Sequence, residues 1–375
     1  MCENQFRLNI RTARILVAAL FIALVHISVA RAQVSQYHEM LQLKDDEGSL
    51  GSPTFSPNGK KIAAARGSYQ LTIWDSITGK ILQQIDSGKS KEDGSLQSLT
   101  WSPDSRYLAG VFVEQGQPGA IGNLFVWDSA SGHQLQIANR AGTGSSFADK
   151  QGKIPILDAH WNPKSSAILL LEADSQARLV DFPSATTRWL IPLKMFDNGN
   201  IDDSAFDPFY CFQTLCRLVW NPTGTEFVSR NGVGQIFNAN TGRPVLSLAE
   251  PRYGDSRAEW TSDGKYIFDV PISDGGNGPV YVWDTTTGLL IDIPLKTIDG
   301  ISFDLNPDNA RIAYTLTGEH KIIAVANWHT GEVLANIPIP GSGLLPGLSW
   351  SPDGRRLAVS TEHLILVFSE ESLVF

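Results

Sequence analysis

Few residues in this chain could do chemistry, and they are scattered. His38, His133, His160, His320, His329 and His363 fall one to a segment, so no two share the close spacing of a metal-ligand pair. Asp158 and His160 flank Ala159 just before Trp161, and Glu259 directly precedes Trp260. These three are the groups best placed for proton transfer or ligation. They would act only if the fold brings them from separate segments to one central channel; otherwise each satisfies backbone groups or water. Cys211 and Cys216 are the cysteines left once Cys2 is set aside with the N-terminal segment. In an oxidising compartment such a pair forms a disulfide, whereas a metal would want two further ligands, and no His or other Cys lies nearby. Around them Phe206, Phe209, Tyr210 and Phe212 crowd one stretch beside Asp202, Asp203 and Asp207. Exposed on a loop, these aromatics would anchor a protein partner; folded back, they would be packing. No nucleophile elbow, Walker loop, Rossmann fingerprint, H-E-x-x-H pair or EF-hand loop occurs. The glycine-rich runs Gly142–Ser146 and Asp274–Gly278 lie between apolar runs with no helix to present to phosphate. Nothing therefore calls for a catalytic residue, a cofactor or a metal.

What must position these groups is a recurring unit. An aromatic followed by a Pro/Asp/Gly-type turn occurs at Phe55, Trp101, Trp161, Trp220, Trp260, Phe303 and Trp350, at spacings of 46, 60, 59, 40, 43 and 47 residues. Proline cannot donate to a ladder and glycine takes positive φ freely, so each site reads as strand, tight turn, strand. A third apolar run often ends in aromatic-Asp, as at Trp74-Asp75, Trp127-Asp128 and Trp283-Asp284, before a Thr-Gly or Ser-Gly turn and a fourth run. Four strands per period of about 40–50 residues is the pattern of propeller blades. The pattern resembles the WD-repeat β-propellers, and its WSPDG turns are similar to those of TolB-like propellers. That resemblance covers nearly all of residues 33–375 and implies an all-β, seven-bladed β-propeller of four-stranded antiparallel blades. The chain departs from the WD pattern in lacking a Gly-His dipeptide before each first strand; Gly132-His133 falls in a turn instead. The aromatics, rather than the family's His-Asp-Ser/Thr-Trp network, are then expected to hold blade to blade, each burying about 150–250 Å².

Composition narrows the class further. With 33 glycines, 20 prolines and 18% charged residues, the chain suits a globular β protein and neither a disordered nor a coiled-coil one. Arg7, Arg11 and Arg14 precede the apolar run Ile15 to Ala30, and Ala30-Arg31-Ala32 supplies small residues at A-x-A spacing. This is the order of a secretory signal peptide, residues 1–32, cut after Ala32; the alternative is an uncleaved anchor, for which sixteen residues fall short of the roughly 20 that span a bilayer. Removing that segment changes the formal charge from −9 to 26 − 38 = −12. An acidic body argues against a nucleic-acid partner.

The last unit holds only three runs before the chain ends, while Val34 to Leu43 reads as a strand with Tyr37, Leu41 and Leu43 on one side. This segment is expected to complete the seventh blade as its outer strand and leave no open edge. Length varies at Glu114–Asn123 and Pro271–Pro279 between second and third strands, and at the crossovers Ala138–Pro155, Lys194–Leu215 and Pro338–Pro346. In an antiparallel meander all of these lie at one end, opposite the tight turns. The expectation is an exported, monomeric, non-enzymatic scaffold, periplasmic or extracellular, that binds another protein through this long-loop face. The alternative is a lactonase-like or other small-molecule hydrolase with a site at the channel mouth.

Overall fold

The computed structural model describes residues 36–44, 50–67, 69–88, 94–114, 122–137, 139–142, 148, 152–164, 166–193, 218–229, 234–249, 256–271, 277–299, 302–316, 321–340, 347–361 and 363–370. The expected signal peptide, the aromatic stretch Phe206, Phe209, Tyr210 and Phe212, and the pair Cys211 and Cys216 lie outside the described residues.

Each apolar run forms a strand and each Pro/Asp/Gly cluster a turn. Blade one comprises Thr54–Phe55, Lys61–Arg66, Gln70–Asp75 and Ile81–Asp86; blade two Gly94–Trp101, Tyr107–Glu114, Gly122–Asp128 and Gln134–Ile137. Blade three comprises Ile156–Trp161, Ala167–Glu172, Gln176–Asp181 and Thr187–Pro192; blade four Leu218–Trp220, Glu226–Ser229, Gln235–Asn238 and Pro244–Ser247. Blade six comprises Phe303–Leu305, Arg311–Leu316, Lys321–Asn327 and Val333–Ile339. Blade seven takes Leu348–Trp350, Arg356–Ser360 and Leu364–Glu370 from the C-terminal end and Tyr37–Lys44 from the N-terminal end.

Blade five departs from four regular strands. Ser256–Trp260, Tyr266–Pro271 and Tyr281–Asp284 form a three-stranded ladder. The fourth strand touches it only at the bridge Trp283↔Leu290, then resumes as Thr297–Asp299 against Asn277–Pro279. Pro294 falls in the gap, and a proline cannot supply a ladder N–H. Part of the stretch expected as the loop Pro271–Pro279 is therefore strand.

Seven apolar clusters hold the sheets, and each draws on two blades. Leu71 and Ile73 of blade one meet Leu96 and Trp101 of blade two, and so on round to Leu357 and Phe368 of blade seven against Ala313 and Val325 of blade six. The circle is completed by a cluster in which Leu43, Ile365 and Val367 of blade seven pack on Ile62, Ala64 and Trp74 of blade one. Both faces of every sheet are thus apolar, which is why the second and third strands run as near-continuous buried stretches such as AILLLE. The tryptophans Trp74, Trp127, Trp283 and Trp328 are buried, a contribution of roughly 2–3 kcal/mol each.

Two expectations need correction. In blade six the residue opposite Ile312, equivalent to Trp350 opposite Leu357, is Leu305 and not Phe303. Phe303 stands two residues earlier, buried against blade five. Tyr37 does not share a face with Leu41 and Leu43. The ladder slips between Glu39 and Leu41, so one extra residue is accommodated and the alternation inverts. Leu41 and Leu43 face blade one, while Tyr37 faces blade six and meets the Trp350 ring edge-on at 6.0 Å.

Arg311 fastens this seam. It starts the second strand of blade six, and its guanidinium binds Asp308 at 2.5 Å, Glu370 at 2.7 Å and the Tyr37 hydroxyl at 3.0 Å, and donates to the Gly354 carbonyl at 3.2 Å. It also lies 5.5 Å over the Trp350 ring. Burial pushes the Tyr37 hydroxyl up to about 12, so it stays neutral and accepts from Arg311 throughout the physiological range. Arg311→Ala should lower stability by about 3 kcal/mol in urea titration, because it strands Glu370 and Asp308, whereas Arg311→Lys should lose less. Removal of residues 36–44 should leave blade seven with a bare edge and produce aggregation, seen as a void-volume peak in size exclusion.

Candidate functional site

The inner strands carry the candidate channel residues. An inner strand has no partner on its channel side, so its outward N–H and C=O groups need other acceptors and donors. The punctuating tryptophans supply one set. Trp101 Nε1 donates to the Thr54 carbonyl, Trp220 to His160, Trp260 to Val219 and Trp350 to Asp304, at 3.1–3.2 Å. In each case the acceptor is the residue just before the punctuating position of the preceding blade. Trp161 is the exception: among the described residues its indole N–H has no acceptor, and its ring sits against Tyr107 and Phe182 instead. Side chains supply a second set. Glu259 Oε2 accepts Leu305 N–H at 3.0 Å, Asp304 Oδ2 accepts Trp350 N–H at 2.6 Å, and Ser349 Oγ receives Phe55 N–H at 3.4 Å.

Asp158 and His160 do come together. The His160 ring Nε2 lies 2.8 Å from Asp158 Oδ2, with Asp158 buried and a quarter of the His160 side chain exposed. Asp158 Oδ1 accepts Ala159 N–H, so the carboxylate is held from two sides and orients the ring. Glu259 does not join them. It is engaged with blade six, and among the described residues no group of three His, Cys, Asp or Glu side chains could hold a metal ion.

The other candidate is the long-loop end. The crossover from blade two to blade three leaves at Ile137 and returns at Ile156. Its base is a short antiparallel arm: Ala141 bridges Lys153, Gly142 N–H bonds the Gly152 carbonyl, and Ile154 N–H bonds the Arg140 carbonyl. Gly142 is required here because a Cβ would stand 2.2 Å from the buried Ile154 Cδ1. Asn139 Nδ2 ties the arm to the Gly122 carbonyl, beside the second turn of blade two.

A four-charge cluster fixes the arm to blade three. Arg140 Nε donates to Glu172 Oε2 at 2.8 Å, its Nη2 donates to Asp174, and Arg178 Nε lies 2.7 Å from Glu172 Oε1. Burial pushes the Glu172 carboxyl up, and Arg178 and Arg140 pull it back; burial likewise pushes Arg178 down against Glu172. The next crossover starts beside it, since Leu193, Ile154, Leu157 and Leu218 share one apolar cluster. The bases of the two longest crossovers are therefore packed together under blades three and four. Sequence reasoning missed this cluster, because Arg140 stands 32 residues before Glu172, in the hairpin that also carries Asp174 and Arg178, and no motif links the two segments.

No family model matches the chain. Over 87% of its length it is 23% identical to the mouse protein "WD repeat-containing protein WRAP73", covering 78% of that protein. It is 24% identical over 86% of its length to the Pseudomonas aeruginosa "Dihydro-heme d1 dehydrogenase", covering 61% of it. A further match, 28% identical over 109 residues, is to chicken "WD repeat-containing protein 1", of which it spans 16%. Among solved structures, the Cps50 (Swd1) β-propeller domain of Myceliophteria thermophila superposes with a TM-score of 0.60 at 16% identity, covering 90% of this chain and all of that one. The fold is that of a seven-bladed β-propeller, and the sequence is similar to those of WD repeat-containing proteins.

Glu172→Ala should leave Arg178 buried without its carboxylate and cost about 3–5 kcal/mol in denaturant titration. Arg140→Ala removes the more exposed partner and should cost less, about 1–2 kcal/mol, while making the crossover arm cleavable by trypsin at Lys153.

Proposed function

We propose that this chain is an exported, non-enzymatic propeller that binds another protein through its long-loop end. The observation that carries the reading is the shared base of the two longest crossovers, with Ile154 and Leu193 in one apolar cluster and Arg140 locked to Glu172. Segments of variable length anchored this way are held at fixed spacing on a rigid ring, so docking a partner orders little chain and loses little entropy. The tight-turn end offers no comparable variation. Export rests on the basic, apolar and A-x-A order of residues 1–32, and a Cys211–Cys216 disulfide belongs to the same reading. A closed ring leaves no apolar blade face for a second copy to cover, which supports a monomer.

The test uses residues 33–375 immobilised as bait, alongside a variant in which 143–147 is replaced by a Gly-Ser linker of equal length. Capture of a defined protein by the first and not by the second is expected. Equal capture by both, or a purified native chain that begins at Met1, would overturn the respective halves of the reading. A second reading, a propeller-type hydrolase, is favoured by the Asp158–His160 pair on an inner strand. Ester or lactone hydrolysis that disappears in His160→Gln would support it, and the dehydrogenase among the relatives makes redox turnover the companion assay.

A further inference from the structure

Each blade turns one backbone N–H toward the central channel at the same level. The residue after the punctuating position donates its N–H to the second strand, as Ser102 does to Tyr107, Asn162 to Ala167, Asn221 to Glu226 and Thr261 to Tyr266. Bonded and non-bonded pairs alternate along an antiparallel ladder, so the punctuating residue, one step earlier, turns its own N–H away from the second strand. The inner strand ends its sheet, and that N–H therefore faces the channel.

The ring divides at this level. In blades six, seven and one the preceding blade caps the group: Glu259 Oε2 receives Leu305 N–H at 3.0 Å, Asp304 Oδ2 receives Trp350 N–H at 2.6 Å and Ser349 Oγ receives Phe55 N–H at 3.4 Å. The cap always comes from the residue just before the position equivalent to Trp350. For blades two to five the residues at that place are Thr54, Thr100, His160 and Val219, all half-buried like the three caps. Val219 has no acceptor, and His160 is turned to Asp158 at 2.8 Å. Among the described residues no side chain accepts the N–H of Trp101, Trp161, Trp220 or Trp260. Four donors in consecutive blades thus line one arc of the wall, and such groups require an acceptor.

We infer that the channel wall of blades two to five binds a small carboxylic acid in its ionised form, through neighbouring backbone N–H groups of Trp101, Trp161, Trp220 and Trp260. The chain's own use of the equivalent donors identifies the ligand, since two of the three capped N–H groups bind carboxylates. Charge-assisted bonds of this kind are roughly twice as strong as neutral ones, and arrays of backbone N–H groups are recurrent anion sites. The charges around the arc are compatible with an anion. Asp158 is paired with His160, Glu259 is committed to blade six, and Arg257 stands at the blade-five end with its Nη2 4.0 Å from Asp304 Oδ1. The site lies on the inner wall and does not depend on what the loop end binds.

The test follows backbone amide resonances of the full chain while succinate is added, with sodium chloride at matched ionic strength as the control. Saturable shifts are expected among the amides of Trp101, Trp161, Trp220 and Trp260, with those of Phe55, Leu305 and Trp350 unmoved. Val219→Asp places a carboxyl where blades five and six carry one, and should silence Trp260. Glu259→Ala removes a cap and should add Leu305 to the responding set. Equal shifts with chloride, capped amides that move as far as the four, or no saturable shift with succinate would overturn the site.

Discussion

Each blade of this protein is a sheet with two apolar faces, and neither face can be left wet. That constraint forces a circle, because any open row of such sheets would end in two bare faces, and the chain meets it with seven clusters shared between neighbouring blades. The circle in turn depends on the N-terminal strand Tyr37–Lys44, which pairs with Leu364–Glu370 and carries apolar side chains toward both adjoining blades. Without it, blade seven has neither its outer strand nor part of its packing against blade one.

Small repeated devices stiffen the ring. In five of the seven blades the residue six after the punctuating position, at the start of the second strand, is a long cation or aromatic that reaches over the next blade; Ala167 and Glu226 are the exceptions. Lys61 stands 5.8 Å from the Trp101 ring and donates to Ser129, Tyr107 stacks on Trp161, and Arg356 lies 5.3 Å over Phe55 while donating to the Gly59 and Ser76 carbonyls. At the third turns the acid of the aromatic-Asp pair accepts the backbone N–H groups two and three residues on, as Asp75 does from Ile77 and Thr78. The glycine that follows must both take positive φ and lie against the outer strand of the preceding blade. Gly79, at φ +70° with Leu43 and Leu41 beside it, fulfils both conditions. Identical turns thus act as spacers between blades.

The fold was legible in the sequence because its information is repeated. Seven aromatic-and-turn sites, four runs per period and a short final unit were enough to place the blades and the closing strand. What escaped was whatever a single residue decides. The bulge that turns Tyr37 away from Leu41 leaves no mark in an alternating run, and Leu305 was hidden because an aromatic stood two residues before it. The functional groups were less legible still. Asp158 and His160 were readable as a pair, being two apart on one strand, but Glu259 bonds blade six, forty-six residues on, which no local spacing encodes. Arg311 and Arg356 did carry a signal, their common offset of six from Leu305 and Trp350, visible once the register of blade six is right.

The two ends of this ring are built differently. One is uniform, built of tight turns bonded to each other; the other gathers all the variation in length, with its longest excursions footed in a buried ion cluster and a common apolar base. Both rely on the seam being sealed. Native-state hydrogen exchange of the full chain across a denaturant series tests that directly. Amides of residues 37–44 should exchange together with those of 364–370, and only through global unfolding. Exchange of 37–44 through a separate low-energy opening, while the other blades stay protected, would contradict the account.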